Sequence, residues 1–289
     1  MTAAARVDAH HHLWDLSAGT PGWLADPALA ALRRTFTPAD LHEVTTAAGI
    51  DASVLVQTEN STAETVDMLA AAASDPVIAA VVGWVDLTSA SAADDLAAIF
   101  AASGGDRLRG IRHQVQSEPD DRWLCRPDVL RGLRAVADAG LCYDLVTRVH
   151  QLPAVIEAAD AVPELTFVLD HCAKPPVATG ETQPWASLVR ELAHRPNVTV
   201  KLSGLVTEAD WSHWRTADLA PYAEVVLDAY GPGRVMAGSD WPVCLLAASY
   251  ERVVEANGEL LTGLAPHERD AVLGGTASRV YRLGSAGPR

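Results

Sequence analysis

The chain has 289 residues, 49% of them hydrophobic, and a formal net charge of −15. The acidic surplus argues against a nucleic-acid partner or an anionic membrane surface, because binding phosphate needs concentrated Lys and Arg. The apolar share supports a sizeable core and argues against global disorder, and the length suits a single barrel of about 250 residues with modest elaborations.

The elements, taken in chain order, alternate. A short strand over 7–12 ends in three histidines, and a long connection over 13–34 follows it, holding Pro21, Gly22, Trp23 and Pro27. Loops of that length are often lids or binding segments. Thr37 as N-cap, Pro38 at the first helical position and Gly49 as the stop predict a helix over 38–48. Strands are predicted over 53–58, 78–86, 108–115, 141–148, 165–171, 198–203 and 235–240. Most are continuous apolar runs, as strands buried on both faces read. Helical patterns fall between them at 61–74, 90–103, 127–139, 153–161, 184–194 and 217–230. Eight strand–helix alternations predict an α/β fold, a (β/α)8 barrel, spanning 1–289 as a single domain with C-terminal helices from about 245.

No GxGxxG or GxxxxGK[ST] phosphate loop follows a strand, and GxSxG and HExxH are absent. The widely spaced Cys125, Cys142, Cys172 and Cys244 form no CxxC pair and read as reduced thiols. The first six residues lack the apolar stretch of a signal peptide, and no run of about 20 uncharged apolar residues occurs. A cytoplasmic protein without a membrane partner is therefore expected.

Barrel catalysis sits at the C-terminal strand ends, so the polar residues there are the candidates. Alternate strand residues share a face. His10 and His12 are thus expected to point together into the mouth and His11 away, and such a pair can bind a divalent metal or polarise an oxyanion. His171 ends the sixth strand beside Asp170 and Lys174, which can form a salt-bridged turn. Asp240 ends the eighth and is the general-base candidate, its alternative role being an N-cap. The fourth strand offers Arg112 and His113 in opposite registers, so at most one faces straight in. Tyr143 and Asp144 lie on the fifth strand, and Lys201 lies within the seventh, where a buried lysine must be paired. Trp14 and Trp241 follow the two strongest motifs as pocket walls or as packing. Gln57, Glu59 and Trp84 are further pocket candidates.

These motifs together carry a resemblance. DAHHHLWD, GIRHQVQ, YDLV, LDHCAKP, VKLSG and GSDWPV, in this order from Val7 to about Leu283, resemble the amidohydrolase-related (amidohydrolase 2) family of sugar-acid and dicarboxylate lactonases. The resemblance implies lactone hydrolysis, with His10, His12, His171 and Asp240 as the core site. It implies that the same four residues hold one divalent ion, zinc by the family's chemistry, although metal-free catalysis is also known there. Arg112, His113, Lys201, Tyr143, Trp14 and Trp241 are then expected to meet a small-molecule lactone, and homo-oligomers are compatible with the family. Related barrels decarboxylate aromatic acids. The missing histidine on the fifth strand, where Asp144 stands, argues against that reaction and against a binuclear site. Hydrolysis of another cyclic ester or amide shares the chemistry, and a decayed, purely binding barrel is opposed by the intact His/Asp set.

Overall fold

Helix signals and β-branched runs alternate along the chain and build one closed sheet. A computed structural model describes residues 4–19 and 21–284. The strands are β1 (Val7–His11), β2 (Ala52–Val56), β3 (Ile78–Gly83), β4 (Leu108–His113), β5 (Cys142–Leu145), β6 (Phe167–Leu169), β7 (Val198–Leu202) and β8 (Val235–Ala237). Each pairs in parallel with the next, in the order β1 to β8. The ring closes past the end of β8, where Asp240 N donates to His10 O at 2.8 Å and His12 N to Trp241 O at 2.6 Å.

The helices are α1 (Pro38–Ala48), α2 (Thr62–Ser74), α3 (Ala92–Ala101), α4 (Pro127–Asp138), α5 (Leu152–Ala161), α6 (Trp185–Ala193), α7 (Thr216–Tyr230) and α8 (Tyr250–Leu260). A last run joins α9 (Pro266–Asp270) through a π-turn to α10 (Thr276–Val280). The start of α1 is set by sequence. Thr37 accepts from Asp40 N, Asp40 accepts from Thr37 N, and Gly49 takes the left-handed φ of 66° that ends the helix.

Two apolar layers follow from the strand period. Val54, Val56, Ala80, Val82, Val168 and Met236 fill the barrel, and Tyr281 closes its floor from just beyond α10. Their neighbours Leu55, Val81, Phe167, Val200 and Val235 face the surrounding helices. Among the described residues no helix is long and apolar enough to cross a membrane.

Candidate active site

Two polar layers stand above the apolar barrel filling. The lower one is a buried charge network. Lys201, within β7 and fully buried, holds Asp144 Oδ2 at 2.5 Å and Asp170 Oδ1 at 3.0 Å. Tyr281 Oη donates to Asp144 Oδ2 from the floor at 2.8 Å, and Arg112 Nη1 to Asp170 Oδ2 at 3.0 Å. Arg112 also donates to the Gln57 backbone oxygen and, at 3.2 Å, to Gln57 Oε1. Burial alone would raise the Asp170 carboxyl, but Lys201, His10 and Arg112 outweigh it and hold it well below the carboxylate range. Lys201 is raised despite burial, because Asp144 and Asp170 face it.

The upper layer is the candidate reacting centre. A β-bulge between Asp8 and His11 inserts one extra residue into β1. It turns Asp8 out to Ser239 and Tyr250 and lets Ala9 and His10 both face inward. His10 Nε2 and His12 Nε2 then lie 3.1 Å apart. Asp240 Oδ1 stands 3.4 Å from His12 Nε2 and 3.8 Å from Nε2 of both His10 and His171. His171 Nδ1 meets Ser203 Oγ at 2.9 Å.

The backbone is forced locally. His171, Cys172, Ala173 and Lys174 run through φ of 51–59°, and Asp240 has φ 60°. Such left-handed residues cost free energy outside glycine and cluster at functional sites. Gly204 underlies them, since a Cβ there would fall 2.6 Å from His171 Nδ1.

Burial is the largest influence on His10 and His171. It pushes His10 well below 6.5, with Lys201 adding to the effect, and brings His171 to about 4. Burial would raise Asp240, but His171, then His12 and His10, hold its carboxyl well below the ordinary range. An ionised Asp240 thus faces the neutral imidazoles of His10 and His171.

This donor set fits a divalent ion. His12 Nδ1 lies 2.7 Å from Val56 O, so it carries the proton and leaves the Nε2 lone pair facing the centre. Two ligand nitrogens on a tetrahedral zinc sit roughly 3.3 Å apart, given bonds of 2.0–2.1 Å. The His10–His12 separation of 3.1 Å is close to that, with the Asp240 carboxylate beside it.

The predicted site residues separate into two groups. His10, His12, His171, Asp240 and Arg112 converge. The others are placed elsewhere. Lys201 lies under the site, spent on its two aspartates and 3.1 Å from His10 Nδ1, so it cannot reach substrate or Asp240. His113 turns away from Arg112. It stacks on Trp123 at 4.1 Å, meets Glu118 at 2.7 Å and accepts from Trp84 Nε1. Tyr143 is fully buried on the outer face of β5 against Phe167, because its inward neighbour is Asp144. Trp14 packs on Trp23 and Phe36, and Trp241 packs on Phe36, so both support the mouth rather than wall the cleft. Glu59 is exposed. The Asp170–Lys174 turn is not a salt bridge, since Lys174 reaches Glu208 at 3.8 Å.

A cleft of about 460 Å3 opens above Asp240, within the range of small-molecule sites. His12, Arg112, His171 and Asp240 form its floor. Trp23, from the long connection expected as a lid or binding segment, and Arg148, at the end of the run predicted over 141–148, line its walls, and Glu208 and Trp211 beside them were missed in the sequence. They lie beyond the strand ends, where position in a loop is the only available signal.

Residues 7–283 match the amidohydrolase family, and the chain belongs to it. Two relatives span nearly the whole chain. An L-fucono-1,5-lactonase of Burkholderia multivorans is 40% identical, covering 97% of each sequence. An L-fucono-1,5-lactonase of Burkholderia ambifaria is 36% identical, covering 96% of each. A solved amidohydrolase from Burkholderia multivorans with bound zinc superimposes with a TM-score of 0.91 at 39% identity, over 97% of this chain and 100% of that one.

Proposed function

We propose that this chain is a cytoplasmic lactonase that opens a sugar-acid lactone, with L-fucono-1,5-lactone as the first candidate. The observation that carries the reading is Asp240 Oδ1, within 3.4–3.8 Å of three imidazole Nε2 atoms at the barrel mouth. Full-length likeness to two fuconolactonases supplies the substrate class.

His10, His12 and Asp240, with His171 alongside, would hold one divalent ion, zinc as in the solved relative. Bound there, it would supply Lewis acidity to water and to the lactone carbonyl. The chain's own groups do the rest. Ionised Asp240 accepts a proton from the attacking water as the new C–O bond forms at the carbonyl carbon. Neutral His171, steadied by Ser203, orients the water or the carbonyl oxygen. The ring C–O bond then breaks, and the proton held by Asp240 passes to the leaving alkoxide, which regenerates the carboxylate. Because His12 Nδ1–H donates a hydrogen bond to Val56 O, a neutral His12 has no Nε2 proton to offer an oxyanion. That favours metal holding over direct polarisation of the carbonyl by the histidine pair.

A pH-indicator screen over aldonolactones and dicarboxylate lactones, with metal analysis of the purified protein, tests this reading. Acid release from L-fucono-1,5-lactone is the expected result. No acid release from any lactone overturns the proposal.

A further inference from the structure

The cleft carries charged side chains that the chemical step does not use. Lys174 Nζ and Glu208 Oε1 face each other at 3.8 Å, with side chains 22% and 25% exposed. Lys174 ends the left-handed turn after β6 at φ 52°, and Glu208 ends a short helical turn (Val206–Glu208) after β7. Arg148, exposed just beyond β5, lines the same cleft. Glu208 lines the cleft together with Lys174, Arg148 and Asp240, and burial is the main cause that raises its carboxyl. Trp211 is one of two exposed large apolar side chains among the described residues. Its Nε1 donates to Thr207 O at 2.8 Å, which fixes the indole at the cleft edge.

As structural features these are poor choices. A half-buried ion pair contributes little stability after desolvation. A lysine at positive φ costs free energy, and such strain is found where function holds it. An exposed indole at a cleft rim is a surface that a ligand can cover. As recognition chemistry they fit together. A carboxylate accepts from two neighbouring hydroxyls at once, while an ammonium and a guanidinium donate to hydroxyl or carbonyl oxygens.

We propose that Glu208, assisted by Lys174 and Arg148, reads a vicinal diol of the lactone while Trp211 covers the ring's C–H face. The cleft therefore selects polyhydroxylated lactones. This inference rests on the lactonase reading above.

The test compares wild type, Glu208→Gln and Lys174→Met on L-fucono-1,5-lactone and on δ-valerolactone, which has the same ring without hydroxyls. Thermal melts confirm that each variant is folded. Losing a hydrogen bond to a charged group should raise KM for the sugar lactone about tenfold or more in Glu208→Gln. Its kcat should be nearly kept, and its turnover of δ-valerolactone unchanged. Equal losses on both lactones, or no change on either, overturn the diol assignment while lactonase activity stands. If wild type does not turn over δ-valerolactone, the split on the sugar lactone decides: a rise in KM supports the assignment, and a fall in kcat alone overturns it. If wild type opens neither lactone, the lactonase reading falls and this inference falls with it.

Discussion

His12 Nδ1 lies 2.7 Å from the carbonyl oxygen of Val56, and this contact decides what the other ring nitrogen can do. With the proton fixed on Nδ1, Nε2 is a lone pair, 3.1 Å from His10 Nε2 and 3.4 Å from Asp240 Oδ1. Replacing His12 by Gln removes that donor. The variant should purify with a large loss of bound divalent metal and of lactonase activity, while its thermal melt stays cooperative. Elemental analysis at undiminished metal content would contradict a ligand role.

Beneath the site, Lys201 answers two buried carboxylates. Lys201→Met leaves Asp144 and Asp170 without that cation. It should cost about 3–5 kcal/mol in urea unfolding, the range for breaking a buried pair from one side. Asp144→Asn combined with Lys201→Met should recover part of that loss. A single-variant cost below about 1 kcal/mol would show that Tyr281 and Arg112 suffice.

Gly204 meets a geometric limit. Its φ is +65°, and an added Cβ would press on the His171 ring. Gly204→Ala should lower thermal stability by the about 1–2 kcal/mol expected of a left-handed alanine. It should also lower kcat, since the ring must move away from Asp240. Unchanged kcat would indicate that His171 has room to spare.

Buried histidines set the pH response of the fold. Burial lowers His113 from 6.5, opposed by Glu118, and brings His11 to about 3. A base with a depressed folded pKa binds its proton more weakly when folded. Its stabilisation is present above the unfolded value of about 6.5 and is lost as pH falls below it. Melting temperature should therefore fall between pH 7 and pH 5. His113→Gln, outside the reacting centre, should show a shallower fall. Identical slopes would show that His113 does not contribute to this fall.

The sequence and the structure agree where periodicity and local signals act alone. Eight strands, the Thr37 N-cap and Gly49 stop of α1, and the inward pair His10 and His12 were all legible. The strand ends were less so. The run predicted over 165–171 keeps only Phe167–Leu169 as strand, and that over 235–240 only Val235–Ala237. Beyond them His171 and Asp240 turn left-handed without any glycine to announce it. Long-range pairing was also hidden. Lys201 reads as a residue needing a partner, but Asp144 lies 57 positions away and only barrel closure brings the two together. Tyr143 and His113 follow from register. Once Asp144 and Arg112 face in, their neighbours must face out.

In the proposed reaction Asp240 takes the proton from water. Asp240→Asn keeps the side-chain volume but removes the base. Its kcat on L-fucono-1,5-lactone, measured beside the melting temperature, is the direct test. Loss of a general base should lower it about 10²–10⁴-fold or more in a protein that still folds. A folded Asp240→Asn enzyme turning over at near wild-type rate would contradict that role.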